Sequence, residues 1–402
     1  MLYQLSHIRV AARACPCNGD NISPGSAESP TRPLALFCVS PTPSSTTPPE
    51  PFARFPGVTA NTLVECADLR RHPEALRSGW WAVVATFEGE VTGWRFADVA
   101  PEAPDVTMAT PSNFDAPTPW HGPQASSWTT SLDEDGYVSA VRRVRAAVRA
   151  GEVYQANICR VLRAPLPGER DPRPLAAALA RGNPAPYAGV VHVPVGTADR
   201  PAWVVTASPE LFLSVRDGRV VSGPIKGTGA RVEDLTEKDH AENVMITDLV
   251  RNDLQHVCAP GTVEVLDLCA VEHHPGLVHL VSRVAGTLRE PLDPAGWAAL
   301  LDATLPPASV SGAPKSSALR LIDELEPVPR GPYCGAVGWV DADAGRAELA
   351  VGIRTFWWTP QDGGTLHFGT GAGITWGSDP AAEWRETELK ASRLVSLASV
   401  AG

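Results

Sequence analysis

Short apolar segments with the composition of β-strands follow one another along this chain instead of alternating with helices. Trp203–Thr206, Glu210–Val215 and Arg219–Ser222 have the pattern of consecutive strands, and the Asp217-Gly218 pair is typical of a hairpin turn. More strands are predicted at Gly335–Val340, Ala347–Phe356 and Leu366–Gly369. Because parallel strands need long crossover connections, this order favours an α+β fold over a doubly wound parallel sheet.

Three helices are predicted from periodicity and capping residues. Tyr137–Ala150 repeats apolar side chains at helical spacing and is followed by Gly151, a common helix end. Thr236 is a good N-cap for a second helix, and Asp379 with Pro380 begins a third.

Composition indicates a water-soluble enzyme. The chain has 402 residues, of which 44% are hydrophobic and 20% charged. It contains no apolar run of about 18 residues, as a membrane span would need, and no signal-peptide pattern, so we expect a cytoplasmic protein. The eight cysteines lack zinc-ligand spacing, and the net charge of −11 argues against nucleic acid or acidic membranes as partners.

The chain divides into three regions by composition. Residues 1–56 are rich in Pro, Ser and Thr and are predicted to be disordered, because they cannot bury enough apolar surface to offset their ordering entropy. Residues 57–132 contain strand-like segments and a Pro-rich loop from about 101 to 123, and are predicted to be the N-terminal part of the fold. Residues 133–402 carry the motifs described below and are predicted to belong to the same compact domain.

A lysine and a glutamate are candidates for covalent and acid–base chemistry. Lys226 lies in the turn-like segment Pro224–Thr228, and a lysine attacks only when desolvation or a nearby cation keeps its amine neutral. Glu210 follows Pro209 and precedes an apolar strand, an environment that raises a carboxyl pKa and allows proton donation near neutrality. His279 lies in an apolar run, where a core histidine and a catalytic one remain alternatives.

Two helical segments have acidic faces. Asp239 and Glu242 are three residues apart on the first, and Glu383 and Glu386 are three apart on the second. Either face alone is typical of a solvated helix surface. If the two faced each other, they would form the hard oxygen site that Mg²⁺ prefers.

Eleven segments in a fixed order closely resemble the chorismate-utilising enzymes, which include anthranilate synthase and aminodeoxychorismate synthase components I and the isochorismate and salicylate synthases. The resemblance covers roughly Asp133 to Leu397. The segments are Gly151–Asn157, Ser208–Glu210, Pro224–Thr228, Lys238–Asp253, Val278–Ser282, Ser309–Lys315, Ile322–Glu326, Tyr333–Gly335, Gly352–Thr355, Gly369–Gly373 and Glu383–Thr387.

The resemblance implies a fold and a set of roles. The implied fold has four layers, with two largely antiparallel sheets packed together under outer helices. The implied metal is Mg²⁺, held by Glu242 and Glu386 with Asp239 and Glu383 acting nearby through water. Glu210 is the implied acid on the departing C4 hydroxyl, and His279 would lie near that oxygen. The positions implied to bind the substrate are Gln155, Thr228, Ser309, Tyr333, Arg354, Lys390 and the backbone of Gly371, Ala372 and Gly373. Without the resemblance, Gly369–Gly373 is equally consistent with a tight strand-to-helix turn and with an anion-binding segment.

The residues at two positions distinguish the enzymes that this chain resembles by the reaction that each catalyses. Gln155 replaces the lysine that activates water in isochorismate and salicylate synthases, and an amide has no basic nitrogen. Lys226 stands where anthranilate synthases typically have alanine and aminodeoxychorismate synthases have lysine. These residues favour 4-amination of chorismate with ammonia, towards 4-aminobenzoate and folate-type products.

Two alternatives remain: an anthranilate synthase component, and an inactive chorismate-binding subunit. The second is disfavoured because Glu210, Glu242 and Glu386 are all present. No cysteine lies in a nucleophile-elbow pattern, so we expect a separate glutamine amidotransferase subunit to supply the ammonia.

Overall fold

The strands of the protein belong to one hydrogen-bonded sheet. The computed structural model describes residues 50–101 and 119–400 except 230, 275 and 276, and leaves out the side chains of Thr228, His274 and Leu277. In these residues the strands are β1 Phe52–Phe55, β2 Val58–Asp68, β3 Trp80–Ala85, β4 Val91–Pro101, β5 Thr129–Thr130, β6 Gln155–Pro165, β7 Tyr187–Val193, β8 Ala202–Ser208, β9 Leu211–Arg216, β10 Arg219–Gly223, β11 Ile225–Gly229, β12 Glu264–His274, β13 Leu277–Thr287, β14 Gly312–Ala313, β15 Ala336–Asp341, β16 Arg346–Val351, β17 Thr355–Thr359 and β18 Thr365–Ile374. The helices are α1 Glu134–Arg149, α2 Arg173–Gly182, α3 Glu237–Gln255, α4 Pro294–Thr304, α5 Lys315–Leu325 and α6 Pro380–Ala398.

All strand pairs in the sheet are antiparallel. From one end the order is β12, β13, β10, β9, β16, β15, β3, β4, β2 and β1, and it continues through β7, β8, β17, β18 and β6. Short strand β11 lies beside β10 on β13, whereas β5 and β14 both pair with β6. The sheet is therefore open at both ends.

The two halves of this sheet form the two inner layers of the molecule. One hydrophobic core contains residues from both halves, such as Phe212 and Leu213 of β9 with Val191 of β7. A second core joins the outer face of the β6–β8 half to α2 and α6, for example through Leu175 and Leu394. The predicted α+β class is confirmed, and its two packed sheets are the halves of one continuous sheet.

Several turns, helices and helix caps predicted from short sequence patterns are confirmed. Asp217 and Gly218 have φ of 52° and 73°, as a tight hairpin turn requires, and they join β9 to β10. Helix α1 covers most of the predicted Tyr137–Ala150 helix. Thr236 and Asp379 are N-caps whose side chains accept hydrogen bonds from the first turns of α3 and α6.

Three expectations from the sequence need correction. For the segment 1–56, which is predicted to be disordered, residues 1–49 lie outside the described part of the chain. Within the described remainder, Phe52–Phe55 forms β1, because it pairs with both β2 and β7. The single strand predicted at Ala347–Phe356 is two strands, β16 and β17, separated by residues 352–354. Gly369–Gly373 is neither a turn nor a strand-to-helix link, because it lies inside β18 and pairs with β6.

The described residues from Glu50 onward belong to a single compact unit. No helix among them is long and apolar enough to cross a membrane.

Candidate active site

Lys226 lies on a distorted strand, β11, rather than in a turn. The register of β11 against β13 shifts between Ile225 and Thr228, which marks a bulge at Lys226 and Gly227. Gly227 has φ of +83°, and a Cβ at this position would lie 2.8 Å from the Cβ of Asp239 on α3. A glycine is therefore required here, since it lets β11 approach α3 closely and fixes where Lys226 points.

Glu210 lies beside Lys226 in an apolar environment. It is 3% exposed, between β8 and β9. Burial raises the pKa of Glu210 to about 7, against the opposing effects of a hydrogen bond with Ser309 and the charge of Lys226. Burial likewise lowers the pKa of Lys226, although the charge of Glu242 opposes it. Burial thus favours the neutral form of both groups, the protonated carboxyl and the deprotonated amine.

Gln155 and Gly373 complete the wall around Lys226. A Cβ built on Gly373 would collide with the side-chain amide of Gln155 and would lie 3.4 Å from Lys226 Nζ. Gln155 is 1% exposed, and its Oε1 has no hydrogen-bond partner among the described residues. A buried amide oxygen without a partner is costly, so this atom is available to accept a hydrogen bond from a ligand or from Lys226.

The glycine-rich part of β18 offers backbone donors at an open edge. Its partner β17 ends opposite Phe368, so on that side β18 is not paired with any described strand beyond this point. The carbonyl of Gly371 accepts a hydrogen bond from Lys390 Nζ at 3.1 Å and therefore points away from β6. Strand alternation directs the N–H groups of Gly371 and Gly373 to the same edge, and that of Ala372 towards β6. Two of the three predicted backbone donors thus face the pocket.

Helices α3 and α6 present their acidic residues to one another, which is the arrangement that an oxygen site would need. Lys238 on α3 lies 3.6 Å from Glu242 Oε1 on its own helix and 3.7 Å from Glu383 Oε1 on α6. Lys390 on α6 forms an ion pair with Glu386 at 2.6 Å. Carboxylates from both helices and the two ammonium groups therefore line one gap.

The carboxylates of this gap have lysine partners in the structure. In the part of the chain that the structure describes, no three His, Cys, Asp or Glu side chains are arranged to hold a metal ion. Glu242 Oε1 is nevertheless a buried oxygen without a hydrogen-bond partner. An anionic oxygen in this state is suited to a metal bond, so Glu242, Glu383 and Glu386 fit Mg²⁺ chemically.

Asp239 has a structural role in addition to its place near the gap. Its Oδ2 accepts hydrogen bonds from the backbone N–H of Thr236 at 2.8 Å and from its hydroxyl at 2.7 Å, forming a capping box at the start of α3. Asp239 thus fixes the beginning of the helix that presents Glu242.

The remaining predicted residues surround this centre at different depths. Arg354, at φ of +51°, is half-buried between β16 and β17, and no described carboxylate pairs with it; burial lowers its guanidinium pKa. His279 is 2% exposed and lies on β13, opposite Thr228 of β11. Thr228 follows Lys226 by two residues on the same strand. Tyr333 is buried with its ring against Gly369, and its hydroxyl lies 3.9 Å from Cys159 Sγ, so it supports β18 from beneath.

Sequence reasoning missed two charged residues at this site. Lys238 begins one of the segments that carry the resemblance, but no role is predicted for it from the sequence. Its i,i+4 spacing to Glu242 is typical of a helical ion pair and could have indicated this contact. Lys315 pairs with Asp253 at 2.6 Å, and this contact joins α5 to α3. No local pattern predicts that contact, because 62 residues separate the partners.

The architecture matches solved structures of isochorismate and anthranilate synthases. A 2,3-dihydroxybenzoate-specific isochorismate synthase of Bacillus anthracis superposes with a TM-score of 0.69 and 23% identity, covering 87% of this chain and 96% of the other. Anthranilate synthase component I of Streptococcus pneumoniae gives the same score at 22% identity, covering 87% and 93%. At these identities the match concerns the fold.

The family is shown by the sequence itself. Residues 96–396 match the model of the chorismate binding enzymes, and the chain belongs to this family. It is 38% identical over 283 residues to anthranilate synthase component 1 of Saccharolobus solfataricus, covering 67% of this chain and 64% of that protein. It is 35% identical over 283 residues to aminodeoxychorismate synthase component 1 of Klebsiella aerogenes, covering 67% and 59%. The chain thus spans less than two thirds of the length of these relatives.

Proposed function

We propose that the protein is the chorismate-aminating component of an aminodeoxychorismate synthase. It would convert chorismate and ammonia to 4-amino-4-deoxychorismate and water. The observation that carries this proposal is the placement of Lys226 in one pocket with Glu210 and Gln155, in surroundings that lower the pKa of the amine and raise that of the acid.

The pocket offers complementary groups for a substrate with two carboxylates. The guanidinium of Arg354 pairs with no described carboxylate and donates only one long hydrogen bond, of 3.5 Å, to Asn183 Oδ1, so it can bind one carboxylate of the substrate. The N–H groups of Gly371 and Gly373 add neutral donors at the open edge of β18. Glu242 and Glu386, with Glu383 beside them, would hold Mg²⁺, which would neutralise the other carboxylate. A net charge of −11 on the whole chain makes such local positive charge necessary.

The covalent step follows from the states of Lys226 and Glu210. Neutral Lys226 Nζ bonds to C2 of the ring, the ring double bonds shift, and the C4–O bond breaks as Glu210 gives its proton to the leaving hydroxyl, which departs as water. Ammonia then bonds to C4, the double bonds shift back, and the C2–N bond to Lys226 breaks. The proton lost by the new ammonium group returns to the Glu210 carboxylate, and the enolpyruvyl group stays on the ring.

Anthranilate synthase is the second candidate, because relatives of that name are 36–41% identical to this chain while those named aminodeoxychorismate synthase are 34–35% identical. The two activities differ in their products. Anthranilate formation releases the enolpyruvyl group as pyruvate, whereas 4-amination retains it.

Product analysis tests the proposal directly. The purified protein is given chorismate, Mg²⁺ and ammonium, and the products are separated and weighed by mass spectrometry while pyruvate is measured in parallel. We expect the aminated product with its enolpyruvyl group and no pyruvate. Anthranilate with an equal amount of pyruvate would establish the second candidate instead.

The same assay tests the expected amidotransferase partner. With ammonium the rate should follow the concentration of free NH₃, and glutamine should give no product, because none of the described cysteines is arranged as a nucleophile beside a general base. Product from glutamine and the pure single chain would contradict a separate partner.

A further inference from the structure

The gap between α3 and α6 contains a cation that belongs to the protein. The ammonium group of Lys238 lies 3.6 Å from Glu242 Oε1 and 3.7 Å from Glu383 Oε1, so one side chain spans carboxylates of two helices. Both distances exceed ordinary hydrogen-bond length. The ammonium is therefore held mainly by the electric field of the carboxylates.

Burial is unequal among these three side chains. Glu383 is 5% exposed and Glu242 16%, whereas Lys238 is 53% exposed. Lys238 lies in the first turn of α3, where about half of its side chain is open to solvent. Lys238 can thus swing out without moving either helix, while the two carboxylates cannot follow it into water.

The other lysine of the gap is attached more firmly. Lys390 Nζ contacts Glu386 Oε1 at 2.6 Å and donates a hydrogen bond to the carbonyl of Gly371 at 3.1 Å. Charge-assisted bonds at these lengths are stronger than a contact at 3.6 Å. Of the two cations, Lys238 is the one that can leave.

We propose that Lys238 is a displaceable counter-cation, which neutralises Glu242 and Glu383 in the metal-free protein and is expelled when a divalent cation binds between α3 and α6. This inference rests on the proposed function, since it takes the metal site from it. Lys238 then lowers the metal affinity of the free protein.

Charge and distance explain why a divalent ion wins this competition. Mg²⁺ bonds to oxygen at about 2.1 Å, much closer than the ammonium contacts, and carries twice the charge. The buried Glu242 Oε1, which lacks a hydrogen-bond partner, gains a ligand in the exchange. Release of Lys238 needs little further exposure of its side chain, because 53% of that side chain is already exposed.

Metal titration without substrate tests the proposal. The full chain is titrated with Mn²⁺ in the absence of chorismate, and free Mn²⁺ is followed by electron paramagnetic resonance. We expect Lys238→Ala to bind Mn²⁺ about five- to tenfold more tightly than wild type, at the lower end of typical coupling between sites. Lys238→Arg should stay within about twofold of wild type, because it keeps the charge.

Two further variants make the result specific. Arg251→Ala removes a cation from the same helix, where Arg251 pairs with Asp248, and should leave Mn²⁺ affinity unchanged. Glu242→Gln should lose Mn²⁺ binding. Circular dichroism of each metal-free variant establishes that it is folded.

The outcomes separate this inference from the metal site on which it rests. If wild type binds Mn²⁺ and Glu242→Gln does not, but Lys238→Ala has unchanged or weaker affinity, Lys238 is no competitor and the inference is wrong. If neither wild type nor Lys238→Ala binds Mn²⁺, the metal site itself is refuted. Binding by Lys238→Ala alone would support the inference most strongly.

Discussion

The pocket holds two lysine–glutamate pairs whose surroundings act in opposite directions. Around Lys226 and Glu210, burial dominates: the pKa of the lysine falls and that of the glutamate rises to about 7. At Glu386 burial also works to raise the pKa, but the Lys390 ammonium at 2.6 Å outweighs it and holds that pKa below its usual range.

The difference shows how the same residue types acquire different chemistry. Desolvation favours the neutral forms that a nucleophile and a general acid need. Close ion pairing preserves the charged forms that a metal and an anionic substrate need. Lys238 belongs to the second region, because the charges of Glu242 and Glu383 overcome burial and raise its pKa.

Replacing Lys226 should have the largest effect. Lys226→Ala should reduce 4-amination at least about 10³-fold, because the covalent route is lost, while chorismate binding changes little. Lys226→Arg should be equally inactive, since a guanidinium stays charged and cannot attack. Chorismate consumption and fluorescence-detected binding measure the two quantities. Unchanged 4-amination by the alanine variant would refute the nucleophile.

Removing charge from the carboxylate region should have the next largest effect. Glu242→Gln and Glu386→Gln should each lower turnover about 10²-fold and raise the Mg²⁺ concentration for half-maximal rate, because neutral amides weaken an oxygen site. Titration of the rate with Mg²⁺ measures both effects. Full activity in the presence of a chelator would contradict a metal in this region.

The smallest expected effect concerns stability at Glu210. The pKa of this group is about 7 in the folded protein and 4.5 for a glutamate exposed to water, so between these two pH values unfolding releases a proton. Its contribution to stability is therefore most favourable below about pH 4.5 and is lost as pH rises through 7.

Glu210→Gln removes this pH dependence. Its unfolding free energy relative to wild type should rise by about 2–3 kcal/mol between pH 5 and pH 8. Denaturant unfolding at both values measures the difference. Glu233→Gln, at an exposed position, is the matched control and should differ little from wild type at either pH. A Glu210→Gln difference that does not vary with pH would show that burial leaves this carboxyl unperturbed.

Local parts of the fold could be predicted from the sequence. The Asp217-Gly218 hairpin and the capping box of Thr236 and Asp239 depend on residues a few positions apart, so their signals lie within short windows. The strands were recognised as clustered and antiparallel. That they form one continuous sheet depends on the pairing of β1 with both β2 and β7, which no short window contains.

Prediction of the site relies more on the resemblance to known enzymes than prediction of the fold does, and its geometry depends on contacts between residues far apart in the sequence. Lys226 and Glu210 are candidates from their sequence context, and their roles and that of Gln155 come from the resemblance; that the three lie close together is visible only in the structure. Gly369–Gly373 suggested a turn because glycine is common in turns, but its glycines instead accommodate Tyr333 and Cys159 from distant segments. A Cβ at Gly371 would lie 2.6 Å from Cys159 Sγ, a contact that no local pattern predicts.

Covalent attack by Lys226 on chorismate is central to the proposed function, and one measurement tests it most directly. The protein is incubated with chorismate and Mg²⁺ without ammonia, and its intact mass is measured, followed by peptide mapping. The account predicts a gain equal to chorismate minus water on the peptide that contains Lys226. No gain in mass, in a preparation that forms the 4-aminated product once ammonium is added, would contradict it.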